Sequence, residues 1–280
     1  MTTSELVPGV HVFPHSVVDG KNAIVIGSTA ALAVDACMHR EEGDAMASFI
    51  REQGHQPDLL VVTHGHPDHI LGSHAFRGGE VIAHVEHDRQ VRLMAARHAA
   101  REGTDPDDVL SRIARPTVTF EDKHRLSLGD RDVVLFHTPG HTGDSVCVYL
   151  PDDRILIGSD TVVTGILPAF TDGDGRTLES TLRELAVLDV EHLVPGHGPV
   201  VSGAADIRNW ITWHADYLGR LRELLDPLTD DADDEELFEA ARFEDLVGSR
   251  FDPDSHGMVR RHEMAVLSMA ESIRRSGQVG

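Results

Sequence analysis

Three histidines and one aspartate follow an apolar run near the end of the first quarter of the chain. Residues 61–69 read VVTHGHPDH, so His64, His66, Asp68 and His69 fall within six positions. Imidazole and carboxylate groups are ligands for borderline divalent metal ions such as zinc. With 19 histidines in 280 residues, the pattern H-x-H-x-D-H would arise by chance in about one such chain in a hundred. The cluster therefore predicts a metal site.

The spacing within the cluster predicts how these side chains divide between two metal ions. His64 and His66 are two positions apart, and in an extended backbone such residues project to the same side. They can therefore bind one ion together. Asp68 and His69 follow on a tight turn and point elsewhere, which suits a second ion a few ångströms away.

Three later segments repeat the pattern of an apolar strand that ends in a single potential ligand. Residues 135–145 contain a Pro-Gly turn that presents His141, residues 155–160 end in Asp160, and residues 193–199 present His197. Sites in α/β proteins gather in the loops that leave a rigid scaffold. We therefore expect four strand ends to bring these side chains together.

The order and approximate spacing of these motifs, over about residues 8–203, resemble those of the metallo-β-lactamase-fold hydrolase superfamily. The resemblance implies an α/β protein, a four-layer αβ/βα sandwich with a dinuclear metal centre at the edge between two sheets. Carried over residue by residue, it implies one ion held by His64, His66 and His141, a second held by Asp68, His69 and His197, and a bridge formed by Asp160.

The resemblance also implies a function and its cofactors. Two divalent ions, Zn²⁺ in preference to Mn²⁺ or Fe²⁺, would bridge a hydroxide that cleaves an ester, thioester or lactone-type small molecule. Asp68 would be the catalytic residue that accepts a proton from the water, as well as a ligand. Asp35, at the end of an apolar run, either orients a ligand histidine or simply caps its strand.

Other classes of protein remain as alternatives. An iron-dependent redox enzyme, similar to a sulfur dioxygenase, would use the same set of metal ligands. A non-catalytic metal-binding protein would also have these ligands but would not catalyse a reaction. A true β-lactamase is disfavoured, because such enzymes typically lack the aspartate at the position of Asp160 and are exported. An RNA-processing enzyme is disfavoured by the charge of the chain and by the absence of a large inserted domain.

Composition limits the partners. Lys and Arg number 25 against 47 Asp and Glu, a net charge of −22, which repels nucleic acids and anionic lipids.

Cys37 and Cys147 are expected to be small buried hydrophobic residues rather than a disulfide. We find neither a leader segment nor an apolar run long enough to span a membrane, so we expect a cytoplasmic protein. The apolar stripe of residues 207–225 would suit a homodimer contact or an internal one.

Short apolar runs alternate with amphipathic stretches over the first two hundred residues, which is typical of an α/β fold. The predicted strands are Ala23–Gly27, Ala30–Asp35, Leu59–Thr63, Glu80–Ala83, Asp132–His137, Ser145–Leu150, Arg154–Ile157 and Glu191–Pro195. The predicted helices are 42–53, 86–102, 106–114 and 176–188, and Asp105 before Pro106 predicts a helix cap.

The character of the sequence changes near residue 204. We expect a metal-binding hydrolase domain over 1–204 and a C-terminal helical extension over 205–280 that covers the site. The extension should contain a helix over 205–225, an acidic run over 226–245 and a last helix from Asp254 to Arg275. Near the start of that helix a group of cationic residues either holds a substrate carboxylate or phosphate or forms a solvated face: His256, Arg260, Arg261 and His262.

Overall fold

The structure is a computed structural model that describes residues 3–228, 232–253 and 255–277 of the chain. Residues 1–2, 229–231 in the acidic run, Asp254 and 278–280 lie outside the described residues, and the predicted start of the last helix lies there with them. Within the described ranges, no helix combines the length and the apolar character needed to cross a membrane.

The first sheet has seven strands that pair in chain order. Its first four strands are antiparallel neighbours, and β4 to β7 run parallel. The strands are β1 Ser4–Val7, β2 Val10–His15, β3 Gly20–Ile26, β4 Ala31–Val34, β5 Leu59–Val61, β6 Glu80–His84 and β7 Val118–Phe120. The parallel strands β4, β5 and β6 consist of nearly continuous apolar runs, because both faces of this part of the sheet are covered.

The second sheet has six strands in the order β13-β12-β11-β10-β9-β8. The strands are β8 Lys123–Ser127, β9 Asp132–His137, β10 Val146–Leu150, β11 Ile155–Ser159, β12 His192–Pro195 and β13 Val201–Ser202. Neighbouring strands are antiparallel except for β11 and β12, which run parallel. The polar ends of β11 and β12 therefore point to the same edge of the sandwich.

Helices cover the outer face of each sheet. The described helices are α1 Arg40–Glu52, α2 Pro67–Ile70, α3 His87–Glu102, α4 Pro106–Arg112, α5 Gly175–Leu185, α6 Ala204–Leu225, α7 Asp234–Ala240, α8 Phe243–Leu246 and α9 Met258–Gly277. As predicted, α4 begins after Asp105, whose side chain accepts a hydrogen bond of 2.8 Å from the backbone N–H of Asp107.

Three apolar cores separate the layers. One core, with Val34 and Ile157, lies between the two sheets. A second, with Met46, lies between the first sheet and helices α1, α3 and α4. A third, with Leu218 and Val266, lies between the second sheet and helices α5, α6 and α9. The layers follow the order helix, sheet, sheet, helix, which confirms the predicted α/β sandwich with C-terminal helices.

The C-terminal helices share the third core with the second sheet. Helix α6 packs along α5, and α9 packs on α5, α6 and α7. The helix α6 begins at Ala204, where the sequence changes character. The division of the chain into functional parts at 204 and 205 stays a prediction.

The predicted strands are all present, with bounds that differ by a few residues, but five further strands were missed. Strand β8 reads KHRLS and alternates between exposed and half-buried positions, so it carries no apolar run. Strand β1 is a short edge strand, β2 contains Pro14, β7 has three residues and β13 has two. Strands β1, β7, β8 and β13 are edge strands, and Pro14 of β2 lies beyond the end of β1. Such positions tolerate polar residues and proline because one side of the strand makes no ladder hydrogen bonds.

Candidate metal centre

The structure brings all seven predicted side chains together at one edge of the sandwich, and we call these seven side chains the metal-ligand cluster. Strands β5, β11 and β12 end there, in keeping with the position of sites at the carboxyl ends of parallel strands. The side chains come from the turn after β5 and helix α2, the loop between β9 and β10, and the ends of β11 and β12: His64, His66, Asp68, His69, His141, Asp160 and His197.

One group consists of three imidazoles and one carboxylate whose nearest ligand atoms lie within 4.8 Å of one another. Nε2 of His141 lies 3.0 Å from Nδ1 of His66 and 3.4 Å from Oδ2 of Asp160. Nε2 of His64 lies 3.9 Å from the same carboxylate oxygen. Three ring nitrogens and one oxygen around a common point suit a tetrahedral ion.

A second group lies on the other side of Asp160. Nε2 of His69 is 3.4 Å from Oδ1 of Asp160, and Nε2 of His197 is 3.4 Å from Oδ2. Asp68 approaches Nε2 of His197 at 3.4 Å. A Cβ atom on Gly196 would lie 1.9 Å from Oδ1 of Asp160, so glycine permits this close approach. Asp160 belongs to both groups, which is the position that a bridging ligand requires.

Backbone carbonyls fix two of the imidazole rings. Nδ1 of His141 donates to the carbonyl of Ala169 at 2.7 Å, and Nδ1 of His197 donates to the carbonyl of Val18 at 3.0 Å. These bonds place the ring proton on Nδ1 and leave the lone pair of Nε2 directed into the cluster. Such a bond on the far nitrogen is a common feature of histidines that bind metals.

Two carboxylates orient two further rings. Nε2 of His66 donates to Asp172 at 3.1 Å, which leaves Nδ1 facing the cluster, and Asp172 also contacts Arg97. Nδ1 of His69 lies 2.8 Å from Oδ2 of Asp35. Asp35 thus makes the contact with a histidine ring that an orienting role requires, and Asp172 makes a contact of the same kind that the sequence did not reveal.

The donor set fits a cation. Nε2 of His64, Nε2 of His69 and Oδ1 of Asp160 are buried and have no hydrogen-bond partner within the described part of the chain. Buried polar atoms are nearly always paired, because an unpaired one carries the full cost of losing water. Cations bound in the two groups would give each of these atoms a partner.

The charges in the cluster favour positive charge beside the carboxylates and a neutral ring at His64. Burial alone would raise the pKa of Asp160, but His197 and His69 outweigh it and hold that pKa well below its usual range. Burial, together with the neighbouring His69 and His66, holds the pKa of His64 well below its usual value, so this ring is neutral. Burial lowers the pKa of His197, but Asp160 more than offsets this and raises it to about 10. The carboxylates therefore attract positive charge to their side of the cluster.

A further histidine, which no sequence motif predicted, faces the second group. His15 ends β2 and is buried, and one of its ring nitrogens lies within 4.8 Å of ligand atoms of Asp68 and His197. Its Nδ1 accepts a hydrogen bond from the backbone N–H of Val17 at 3.3 Å, while Nε2 has no partner in the described chain. Only the pairing of β2 with β3 brings this ring to the site, so no local motif signals it.

One member of the predicted cationic group lies elsewhere. Nδ1 of His262 accepts a hydrogen bond of 3.0 Å from the hydroxyl of Tyr217, and Nε2 donates to the carbonyl of Ala241 at 2.6 Å. The inclusion of His262 in that group is wrong, because its ring is buried in the packing of α9 against α6. By contrast, Arg260 and Arg261 line a cavity beside the metal-ligand cluster.

Comparisons with known proteins agree with this geometry. The family model described as the metallo-beta-lactamase superfamily matches residues 17–197. The chain is 34% identical over 193 residues to the probable hydroxyacylglutathione hydrolase glo2 of Schizosaccharomyces pombe, over 66% of this chain and 67% of that protein. It is 29% identical over 161 residues to the acyl-coenzyme A thioesterase MBLAC2 of Homo sapiens, over 51% of this chain and 56% of that protein. The chain spans about half the length of such curated relatives.

A solved structure extends the likeness to nearly the whole chain. A metallo-beta-lactamase family protein of Thermus thermophilus superposes with a TM-score of 0.69 at 20% identity, over 98% of this chain and 95% of that one. This likeness shows that the fold is the same, C-terminal helices included. Since the family model covers most of the chain and the sandwich carries the clustered histidines and aspartates, the chain belongs to the metallo-beta-lactamase superfamily.

Proposed function

We propose that this chain is a dinuclear metal-dependent hydrolase that cleaves an ester, thioester or lactone-type small molecule. The observation that carries the proposal is the position of Asp160, whose carboxylate is shared by two groups of imidazoles with unpartnered buried nitrogens. The curated relatives that are named as a thioesterase and as a hydroxyacylglutathione hydrolase support hydrolysis of an acyl substrate.

The residues divide into two ligand sets that share one carboxylate. His64, His66 and His141 would hold one ion, Asp68, His69 and His197 would hold the other, and Asp160 would contact both. Zn²⁺ suits these nitrogen and oxygen donors best, and Mn²⁺ and Fe²⁺ accept the same donors. A pair of such ions makes water more acidic and polarises a carbonyl.

The residues of the chain then orient the reactants. The carboxylate of Asp68 is ionised, because His69 and His197 overcome the opposing effect of burial and lower its pKa. It is thus free to hold the attacking water and to take up its proton. Beside Asp68, the bond from Val17 leaves the ring proton of His15 on Nε2, where it can donate to an oxygen of the substrate.

A panel of substrates tests the proposal. The purified chain, loaded with Zn²⁺, Mn²⁺ or Fe²⁺, is assayed with an aryl ester, a thioester, a lactone, a phosphodiester and a cephalosporin. We expect turnover of at least one of the first three, with two metal equivalents per chain. Loss of that turnover in the Asp160→Ala variant would link it to the site.

The same experiment separates the alternatives. A single iron per chain, with consumption of O₂ and no hydrolysis, would contradict the proposal and support the redox enzyme. Full loading with two ions but no turnover of any member of the panel would support a non-catalytic metal-binding protein.

A further inference from the structure

A cavity of about 350 Å³ lies between the first turns of α9 and the loop formed by residues 167–171. This volume is within the range of roughly 300–1,000 Å³ that pockets for small molecules occupy. The cavity borders the metal-ligand cluster, because Ala169 in its wall accepts the hydrogen bond of 2.7 Å from His141. Thr171, at the other end of this wall, directly precedes Asp172, which orients His66.

The walls of the cavity differ in chemistry. Leu167, Phe170 and Met264 supply apolar surface, whereas His256, Arg260 and Arg261 supply cationic or titratable groups. No aspartate or glutamate occurs among the described residues that line the cavity. In a chain with a net charge of −22, this wall is a local exception to the acidic surface. It therefore favours a ligand that is partly apolar and partly anionic.

Arg261 is the cation that lies deepest in this wall. It is half-buried, and its Nε donates to the backbone carbonyl of His256 at 3.3 Å. Within the described ranges no carboxylate pairs with its guanidinium. Burial lowers the pKa of Arg261 and the nearby charge of Asp160 partly opposes this, so the guanidinium is partly desolvated. A desolvated cation without a partner is costly, and an anion would offset that cost.

We propose that this cavity binds a carboxylate or phosphate group of the substrate, that Arg261 recognises it, and that the apolar wall contacts the chain that carries it. The inference rests on the proposed function and names its substrate class, an ester or thioester with an anionic group attached to an apolar segment. A guanidinium suits this role, because its planar fork donates two parallel hydrogen bonds to a carboxylate or a phosphate.

Binding measurements test the inference without turnover. Hexyl phosphate, hexanoate and 1-hexanol are titrated calorimetrically into the metal-loaded full chain, its Arg261→Gln variant and its Arg261→Lys variant. We expect the wild-type chain to bind both anions more tightly than the alcohol. Loss of one charge-assisted contact should weaken the anions about tenfold or more in Arg261→Gln and change the alcohol little. The affinity of Arg261→Lys for the anions should lie between those of the wild-type chain and Arg261→Gln.

Matched controls separate the guanidinium of Arg261 from the overall charge of the chain and from the metal ions. Arg208→Gln removes an exposed arginine from α6, outside the cavity, and should bind all three probes like the wild-type chain. Metal content is measured for each variant, because the anions also bind to the ions themselves. Should Arg261→Gln fold poorly, the Arg261→Lys variant still tests the role of the guanidinium, because lysine keeps the positive charge but lacks the two parallel N–H donors.

Two results would overturn the inference: equal affinity of the wild-type chain for the anions and the alcohol, or undiminished anion binding by Arg261→Gln. An effect confined to hexyl phosphate or to hexanoate identifies which anion the cavity prefers. Failure of the whole substrate panel contradicts the proposed function but leaves the binding result intact. An active enzyme whose Arg261 variants bind anions normally contradicts this inference alone.

Discussion

Nδ1 of His69 lies 2.8 Å from Oδ2 of Asp35, and neither residue is exposed by more than 2%. The same carboxylate accepts hydrogen bonds from the backbone N–H of Thr63 at 2.8 Å and from its hydroxyl at 2.7 Å. A residue at the end of β4 thus fixes both the turn after β5 and the ring of a candidate ligand. Asp35 has a φ of 61°, a conformation that aspartate and asparagine tolerate better than most residues.

The Asp35→Asn variant should therefore keep the backbone but weaken the second metal ion. The amide has the shape of the carboxylate and the same tolerance of positive φ, but it lacks the charge that holds the ring of His69. Loss of such an orienting partner typically lowers metal affinity about 10- to 100-fold, and competition with a chelator would measure this.

The chain offers a matched control for that measurement. Asp44 contacts Nε2 of His74 at 2.9 Å, but its carboxylate is exposed and lies outside the metal-ligand cluster. The Asp44→Asn variant should bind metal like the wild-type chain. Wild-type affinity for both ions in the Asp35→Asn variant would show that the contact does not orient a ligand.

The Asp160→Ala variant tests the shared carboxylate. We expect the fold to persist, the second ion to be lost or loosened and most of the turnover to disappear, because both imidazole groups lose their common oxygen donor. Metal analysis and circular dichroism would show these outcomes. His66→Ala should likewise lose metal, whereas His98→Ala, on α3 and outside the cluster, should retain it. Two tightly bound ions and full activity in Asp160→Ala would contradict the assignment of the bridge.

Local pattern was sufficient to predict the candidate ligands, because each of them lies in the segment that follows a short apolar strand. The turn after β5 contributes His64, and the ends of β11 and β12 contribute Asp160 and His197. The layers of the sandwich were predicted from the resemblance of these motifs to a known superfamily. The alternation of apolar runs alone predicts only an α/β fold.

The remaining parts of the site depend on contacts between segments that are distant in sequence. His15 reaches the cluster through strand pairing, and Asp172 reaches His66 across 106 positions. His262 was misplaced because helical spacing does not reveal which neighbouring helix covers a given face. In the structure, α6 covers that face and supplies the Tyr217 hydroxyl that bonds to the ring.

Gly20 should be coupled energetically to His15. The two residues are cross-strand partners in β2 and β3, and a Cβ atom on Gly20 would lie 1.8 Å from both Cε1 and Nε2 of the ring. Gly20→Ala should therefore lower the free energy of unfolding by about 1–3 kcal/mol through overpacking. The double variant His15→Ala/Gly20→Ala should be less destabilised than the sum of the single variants, by about 1 kcal/mol or more. Urea denaturation of the wild-type chain, the two single variants and the double variant completes this double-mutant cycle. Additive effects would show that the ring of His15 does not lie against Gly20 in solution.

His214 should make the protein less stable in mild acid. It is fully buried on α6, with ring centroids 5.4 Å from Trp210 and 5.3 Å from Trp213, and burial lowers its pKa from 6.5 to about 3. Below pH 6.5 the unfolded chain takes up a proton that the folded chain refuses, so stability falls as the pH decreases towards 3. The expected loss from this residue is about 1.4 kcal/mol per pH unit.

The His214→Phe variant isolates this contribution, because it keeps a ring among the tryptophans and removes the titrating group. The free energy of unfolding is measured in urea at pH 7 and pH 5 for both proteins with the same metal loading. The other histidines titrate in both, so their effects cancel in the comparison. We expect the loss of stability between the two pH values to be about 2 kcal/mol smaller in the variant. An equal loss in both proteins would mean that His214 is protonated, or reached by water, in the folded chain.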